Sequence, residues 1–177
     1  MNDAELLRLA GAIDRRCRLR GEFVLRSGTV AHEYFDKYAF ESDPALLRRV
    51  VDRMAPLLPA GTDVLGGLEL GGVPLATMLS SVTGLPAAFV RKQPKEYGTR
   101  RLAEGCEVAG RSVVLVEDVV TTGGAVLQAA TALRDLGATV GAAVCAIDRS
   151  DPDRNVLAKH GIELRAVLTK RLLDASV

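Results

Sequence analysis

Thirteen residues, Val113 to Ala125, set chemically useful groups in an order with few purposes: V-V-L-V-E-D-V-V-T-T-G-G-A. The apolar, largely β-branched run reads as a buried strand that delivers two adjacent carboxylates, Glu117 and Asp118, to one edge of a sheet. Beyond Val119 and Val120 come Thr121, Thr122, Gly123 and Gly124, and then Ala125 at the opening of a helical stretch. Carboxylates accept hydrogen bonds from sugar hydroxyls. The backbone N–H groups of 121–125, at the positive end of a helix dipole, suit a phosphate. The segment from Glu117 to Ala125 therefore offers recognition for both ends of a ribose 5-phosphate. A structural reading, a strand ending in an acidic turn and a threonine cap, explains either half alone. It explains the combination less well, because neighbouring carboxylates repel and need solvent, hydroxyls or a cation beside an apolar strand.

Two other phosphate-binding readings drop out, since neither G-x-x-x-x-G-K-[ST] nor G-x-G-x-x-G after a strand occurs. A second glycine cluster, G-G-L-E-L-G-G-V-P-L-A from Gly66 to Ala76, follows another expected strand. It reads either as a loop whose backbone approaches an anion or as a tight strand-to-helix turn. Between Lys92 and Gly110 lies a polar stretch without a helical stripe, expected to be a mobile lid. Arg91, Lys92, Lys95, Arg100 and Arg101 surround Tyr97-Gly98-Thr99 there. Such cations are either an ordinary solvated face or a flap that neutralises a departing anion where water is excluded. Emergence from the same sheet edge as the threonine-glycine loop favours the flap.

The elements that must position these groups follow from hydrophobic spacing. Residues 3 to 17 carry Leu6, Leu7, Leu9, Ala10, Ile13 and Cys17 near helical spacing. E-F-V-L-R-S-G and E-Y-F-D-K-Y-A-F are expected as two short strands around a turn, a hood-like cover over 1–42 rather than part of the main sheet. Asp43-Pro44 starts a helix with a stripe of Leu46, Leu47, Val50, Val51 and Met54, closed by Pro56 and Pro59. Strands are then expected at 63–67, 87–91, 112–117, 140–147 and 163–168, with helices at 73–83, 124–136 and from Asp151-Pro152. This alternation predicts an α/β fold with a mainly parallel central sheet flanked by helices, in which ligands bind beyond the carboxyl ends of the strands.

At 177 residues and 48% hydrophobic content, one domain spanning 1–177 is expected. Twenty-three basic against twenty-two acidic residues leave a net charge of +1, which provides no global field toward nucleic acid or membrane. Cys17, Cys106 and Cys145 are odd in number and lack C-x-x-C spacing, so they read as reduced thiols. The acidic, amphipathic start and the lack of an 18-residue apolar run point to the cytoplasm. His32 and His160 are isolated, and no protein metal ligand is named.

The Val113–Ala125 segment resembles the phosphoribosyl pyrophosphate (PRPP) motif of type I phosphoribosyltransferases. F-V-R-K-Q-P-K-E-Y-G-T resembles more narrowly the catalytic loop of orotate phosphoribosyltransferases, R-K-x-x-K-x-[HY]-G. The resemblance implies that Arg91, Lys92, Lys95 and Tyr97 contact PRPP and pyrophosphate, with Lys95 the catalytic side chain beside Asp118. Gly66–Ala76 is similar to the family's pyrophosphate loop, where some relatives carry lysine at the position of Gly71. E-F-V-L-R-S-G is similar to the family's F-x-L-x-S-G element. Arg26, Phe35, Thr121 and Arg149, the last closing the strand C-A-I-D-R, are then the implied orotate contacts. The resemblance further implies Mg²⁺ carried mainly by PRPP, and a homodimer whose lid reaches the neighbouring site. A purine phosphoribosyltransferase, or a PRPP-sensing regulator that binds nucleic acid on the same fold, are the competing expectations. The lid pattern and Arg149 weigh against the first, and the near-zero net charge against the second.

Overall fold

The computed structural model describes residues 3–24, 28–94, 101–151 and 156–176. The chain opens with α1 (Asp3–Cys17), a hairpin of β1 (Arg18–Val24) and β2 (Val30–Phe35), the single turn α2 (Tyr38–Glu41) and α3 (Pro44–Met54). There follow β3 (Val64–Leu68), α4 (Gly72–Thr83), β4 (Ala87–Val90), β5 (Ala103–Glu104), β6 (Ser112–Val120), α5 (Gly124–Asp135), β7 (Thr139–Asp148), β8 (Glu163–Thr169) and α6 (Lys170–Asp174). Strand order in the main sheet is β5-β4-β3-β6-β7-β8. All neighbours are parallel except β4 and β5.

Burial on both faces explains why the strands read as near-continuous apolar runs. Val114 and Val116 of β6 face a core built with α1, α3 and α4, whereas Val113 and Leu115 face a second core built with α5. Each such side chain contributes about 1.5–3 kcal/mol relative to exposure. The expected stripe of α3 is buried in full, and Asp43 caps that helix by accepting from the N–H groups of Ala45 at 3.0 Å and Leu46 at 3.1 Å. On α1 the buried face is Leu6, Leu9, Ala10, Ile13 and Cys17; Leu7, one residue and so about 100° round the helix from Leu6, is exposed.

Several expectations need correction. The hairpin is indeed a separate two-stranded sheet, but β1 begins directly after α1, and Tyr38–Glu41 is helical rather than extended. The cause is tertiary: Phe40 is wholly buried against the α1 and α3 core, and Tyr38 takes an N–H bond to the Asp36 side chain at 3.1 Å that turns the chain. β6 is three residues longer than expected, so Asp118 lies inside the strand with Glu117 and not past its end. The stretch 92–110 is not free of regular structure, because Ala103–Glu104 pairs with Phe89 and Val90 and extends the sheet edge. Residues 152–155, where a helix was expected to open, lie outside the described residues; a single 3-10 turn follows at Ala158–His160. The terminal turn α6, capped by Thr169, was not foreseen. No helix among the described residues is long and apolar enough to cross a membrane.

Candidate active site

The two acids of β6 leave the strand in different directions, though their carboxyls stay within hydrogen-bond reach of each other. Glu117 lines a cleft of about 350 Å³ together with Glu69, Arg91, Lys92 and Ala125. Asp118 points toward the start of α4 and the segment before α2. It is wholly buried, and Glu117 is 8% exposed. Local backbone contacts hold both: the Asp118 N–H donates to Glu117 Oε1 at 3.2 Å, and the Val119 N–H to Asp118 Oδ1 at 2.5 Å.

The charge is balanced from a part of the chain that sequence reasoning passed over. Lys37 Nζ lies 2.7 Å from Asp118 Oδ2. Glu41, on the next turn, is also buried, with Oε1 lacking a hydrogen-bond partner among the described residues. Burial, and then the Asp118 carboxylate, push both Glu117 and Glu41 up to about 9. Burial acts on Asp118 in the same direction, but its hydrogen bonding with Glu117 and the Lys37 ammonium outweigh burial and hold its pKa below the ordinary value. At neutral pH the cluster therefore carries protons on the two glutamates and its one ionised carboxylate at Asp118, opposite Lys37. The only signal in sequence was the i,i+4 spacing of Lys37 and Glu41, hidden by reading that stretch as a strand.

The glycine cluster has a packing purpose that the sequence could not reveal. A Cβ on Gly72 would sit 2.2 Å from the Val116 carbonyl oxygen, and one on Gly71 would sit 1.7 Å from Asp118 Oδ2. These glycines let the start of α4 press against β6, directly beside the carboxylate. On the other side of β6, Gly123 adopts φ 78° as the residue before α5, and a Cβ there would meet Leu157 Cγ at 2.8 Å. Thr121, Thr122, Gly124 and Ala125 are exposed around it, and Thr122 Oγ1 accepts from the Gly124 N–H at 3.4 Å. Val119 and Val120 are strand residues that pack against the two cores, and the Val120 carbonyl accepts from the Arg149 N–H.

That last bond brings the base-side residues into place. Asp148 accepts from the backbone and hydroxyl of Ser150, tightening the turn at the end of β7. The Arg149 guanidinium then stands 5.4 Å from the centroid of the Phe35 ring. Two expected base contacts 114 positions apart in the chain thus share one cleft of about 470 Å³, with Tyr34 and Lys170 on its wall. Arg91 directly follows β4 with its Nε buried and without a hydrogen-bond partner among the described residues, and the Lys92 N–H donates to Glu69 Oε1 at 3.1 Å. Lys95, Tyr97 and Arg26 lie outside the described residues.

The sequence model of the phosphoribosyl transferase domain matches residues 46–163, from α3 to the first residue of β8. The orotate phosphoribosyltransferase of Nocardioides sp. is 64% identical over 168 residues, covering 95% of this chain and 94% of that protein. This chain belongs to the orotate phosphoribosyltransferases. The orotate phosphoribosyltransferase of Methanocella arvoryzae is 42% identical over 93% of this chain and 91% of that protein. Among solved members, the Mycobacterium tuberculosis orotate phosphoribosyltransferase in complex with Fe(III) dicitrate superposes with a TM-score of 0.83 at 30% identity, over 97% of this chain and 99% of that one. The same enzyme in complex with PRPP gives 0.80 at 29% identity, over 98% and 99%. An adenine phosphoribosyltransferase from Leishmania donovani, 16% identical with a TM-score of 0.70 over 98% of this chain and 84% of that one, shares the fold alone. The family is a pentosyltransferase family, and its α/β architecture with a mostly parallel sheet is the one found here.

Proposed function

We propose that this chain transfers the ribose 5-phosphate of PRPP to orotate, yielding orotidine 5′-phosphate and pyrophosphate on the route to UMP. The observation that carries the reading is the buried Glu117–Asp118 pair at the carboxyl end of β6, one short turn before the exposed threonine-glycine start of α5. The N–H groups of 121–125 receive the 5′-phosphate at the positive end of α5. Asp118, ionised, accepts from a ribose hydroxyl, and Glu117, protonated at neutral pH, donates or shares a proton. Neither is a nucleophile. The orotate ring nitrogen attacks the anomeric carbon as pyrophosphate leaves, and the buried Asp118 charge stabilises the sugar cation that develops.

Orotate lies in the cleft between Phe35 and Arg149, where the guanidinium pairs with the orotate carboxylate in a way a purine has no group to match. Arg26 and Thr121 complete that subsite. Arg91, Lys92, Lys95 and Tyr97 act on the pyrophosphate side. Mg²⁺ fits as an ion brought by the donor. No group of three His, Cys, Asp or Glu among the described residues is arranged to hold a metal ion, and a lysine already sits on Asp118 Oδ2. When bound through the donor's phosphate oxygens and water, the ion lowers the charge of the leaving pyrophosphate. A homodimer that shares lids between sites, one domain over 1–177 and a cytoplasmic location complete the reading; the free thiols Cys17, Cys106 and Cys145 support the last.

Incubation with PRPP, Mg²⁺ and a panel of bases decides the matter. Orotate absorbance should be consumed with release of pyrophosphate. Turnover of adenine or hypoxanthine in place of orotate would overturn the base assignment.

A further inference from the structure

Lys37 sits in a stretch whose local pattern carries no chemistry, yet its ammonium lies 2.7 Å from the buried carboxylate on which donor binding depends. Its ammonium and the missing side chain of residue 71 face the same atom, Asp118 Oδ2. The start of α4 thus leaves open a space next to the carboxylate, and a lysine from a different element uses it. Lys37 also follows Phe35 by two residues, which ties the wall of the base cleft to the ribose-binding acid.

We propose that Lys37 is a positioning residue for donor binding: its ammonium holds the Asp118 carboxylate aimed into the space that Gly71 leaves, until the ribose hydroxyls of PRPP take the ammonium's place. The proposal rests on the reading of Asp118 as a donor-site carboxylate. The groups facing Asp118 are Lys37 and Glu41 from the segment after β2, Glu117 from its own strand and the Cys145 thiol from β7; α4, which begins beside it at Gly71 and Gly72, carries no charged residue. Asp36 and Tyr38 stand behind Lys37 and Glu41. Of these groups only Lys37 brings a positive charge. Without it, three carboxyls share a buried site with no cation, and Asp118 takes up a proton at a higher pH. A protonated Asp118 accepts poorly from a sugar hydroxyl and no longer opposes the developing cation.

The test is the pH profile of kcat/KM for PRPP in wild type, Lys37→Gln and Lys37→Arg, with melting temperatures to verify the fold. The donor's own phosphate titrations are common to all three. Lys37→Gln should move the acid limb up by about 1–3 pH units, the size expected for losing an adjacent opposite charge. It should recover toward wild-type kcat/KM on the alkaline side, and Lys37→Arg should return the limb toward its original position. A Lys37→Gln profile that superposes on wild type, or one lowered equally at every pH, would overturn the proposal. Should Lys37→Gln not fold, carboxyl ¹³C titration of the wild-type chain decides: Asp118 protonating below the ordinary aspartate value supports it, and protonation at or above that value overturns it. Asp118→Asn separates the two layers. If it leaves kcat/KM intact, the donor-site reading falls and this proposal with it; if it is impaired beside an unmoved Lys37→Gln profile, only the role of Lys37 falls.

Discussion

Gly71→Ala adds a single methyl group and tests the site's architecture directly. Gly71 has φ −66° and ψ −29°, a conformation open to any residue, so the backbone itself carries no penalty. The whole effect comes from the new Cβ, which would lie 1.7 Å from Asp118 Oδ2 and 2.3 Å from its Cγ. Both distances are far inside contact, so the carboxylate must rotate away from Lys37 or the start of α4 must lift off β6. Removing one partner from a buried ion pair costs about 3–5 kcal/mol. Because the Lys37 side chain keeps 35% of its exposure and is partly screened, the lower end applies. That cost falls on the folded state and lowers the melting temperature; kcat/KM for PRPP falls separately, by roughly tenfold to a hundredfold, because an Asp118 turned away gives up a charge-assisted hydrogen bond to the donor worth about 1.5–3 kcal/mol. The assay is steady-state orotate consumption at varied PRPP, with thermal melting to separate lost binding from lost fold. Gly141→Ala is the control: no atom lies within 4 Å of its added methyl, so activity should stay at the wild-type level. Wild-type kcat/KM in Gly71→Ala would refute the placement of α4 against Asp118.

Three further outcomes follow from the same structure. Glu117 and Glu41 stay protonated up to about 9 in the folded chain, whereas unfolded glutamates ionise near ~4.3. The folded state therefore holds more protons across that window. Their contribution to stability is complete below the unfolded value and is lost as pH rises through the folded one. Melting temperature should fall from pH 5 to pH 9, and Glu117→Gln should flatten the fall; an unchanged slope would contradict the assigned protonation. Lys95→Ala should lower kcat by orders of magnitude without changing the melting temperature, as measured by pyrophosphate release, and near-normal turnover would remove that lysine from the chemistry. Asp43→Ala should cost about 1 kcal/mol in urea unfolding, through loss of its two N–H bonds at the start of α3, with kcat unaffected.

The order strand, acid pair, threonines, glycines and helix was legible in Val113–Ala125 because every step in it is local. A continuous apolar, β-branched run makes the strand, small residues make the turn, and the helix dipole follows from chain direction. The Asp43-Pro44 helix start and the Leu46–Met54 stripe were legible for the same reason: capping and i,i+3/i+4 spacing act within a few residues. Tyr38–Glu41 was misread because its helical turn exists to bury Phe40 against helices from elsewhere, and no local pattern carries that information. The hidden strand Ala103–Glu104 likewise forms only because β4 offers it an edge.

Sequence by itself determined which residue types were on hand: a paired acid, an anion-binding turn, a run of cations and an arginine closing a strand. Tertiary structure alone decided the charge state of the acids and the meaning of the glycines. Lys37 is 81 positions from Asp118, and Gly71 is 47, yet all three meet at one carboxylate oxygen. The physical reason is that electrostatics and steric exclusion act through space over a few ångströms. A buried carboxylate's protonation is therefore set by what the fold brings beside it, and its neighbours in the chain do not reveal it.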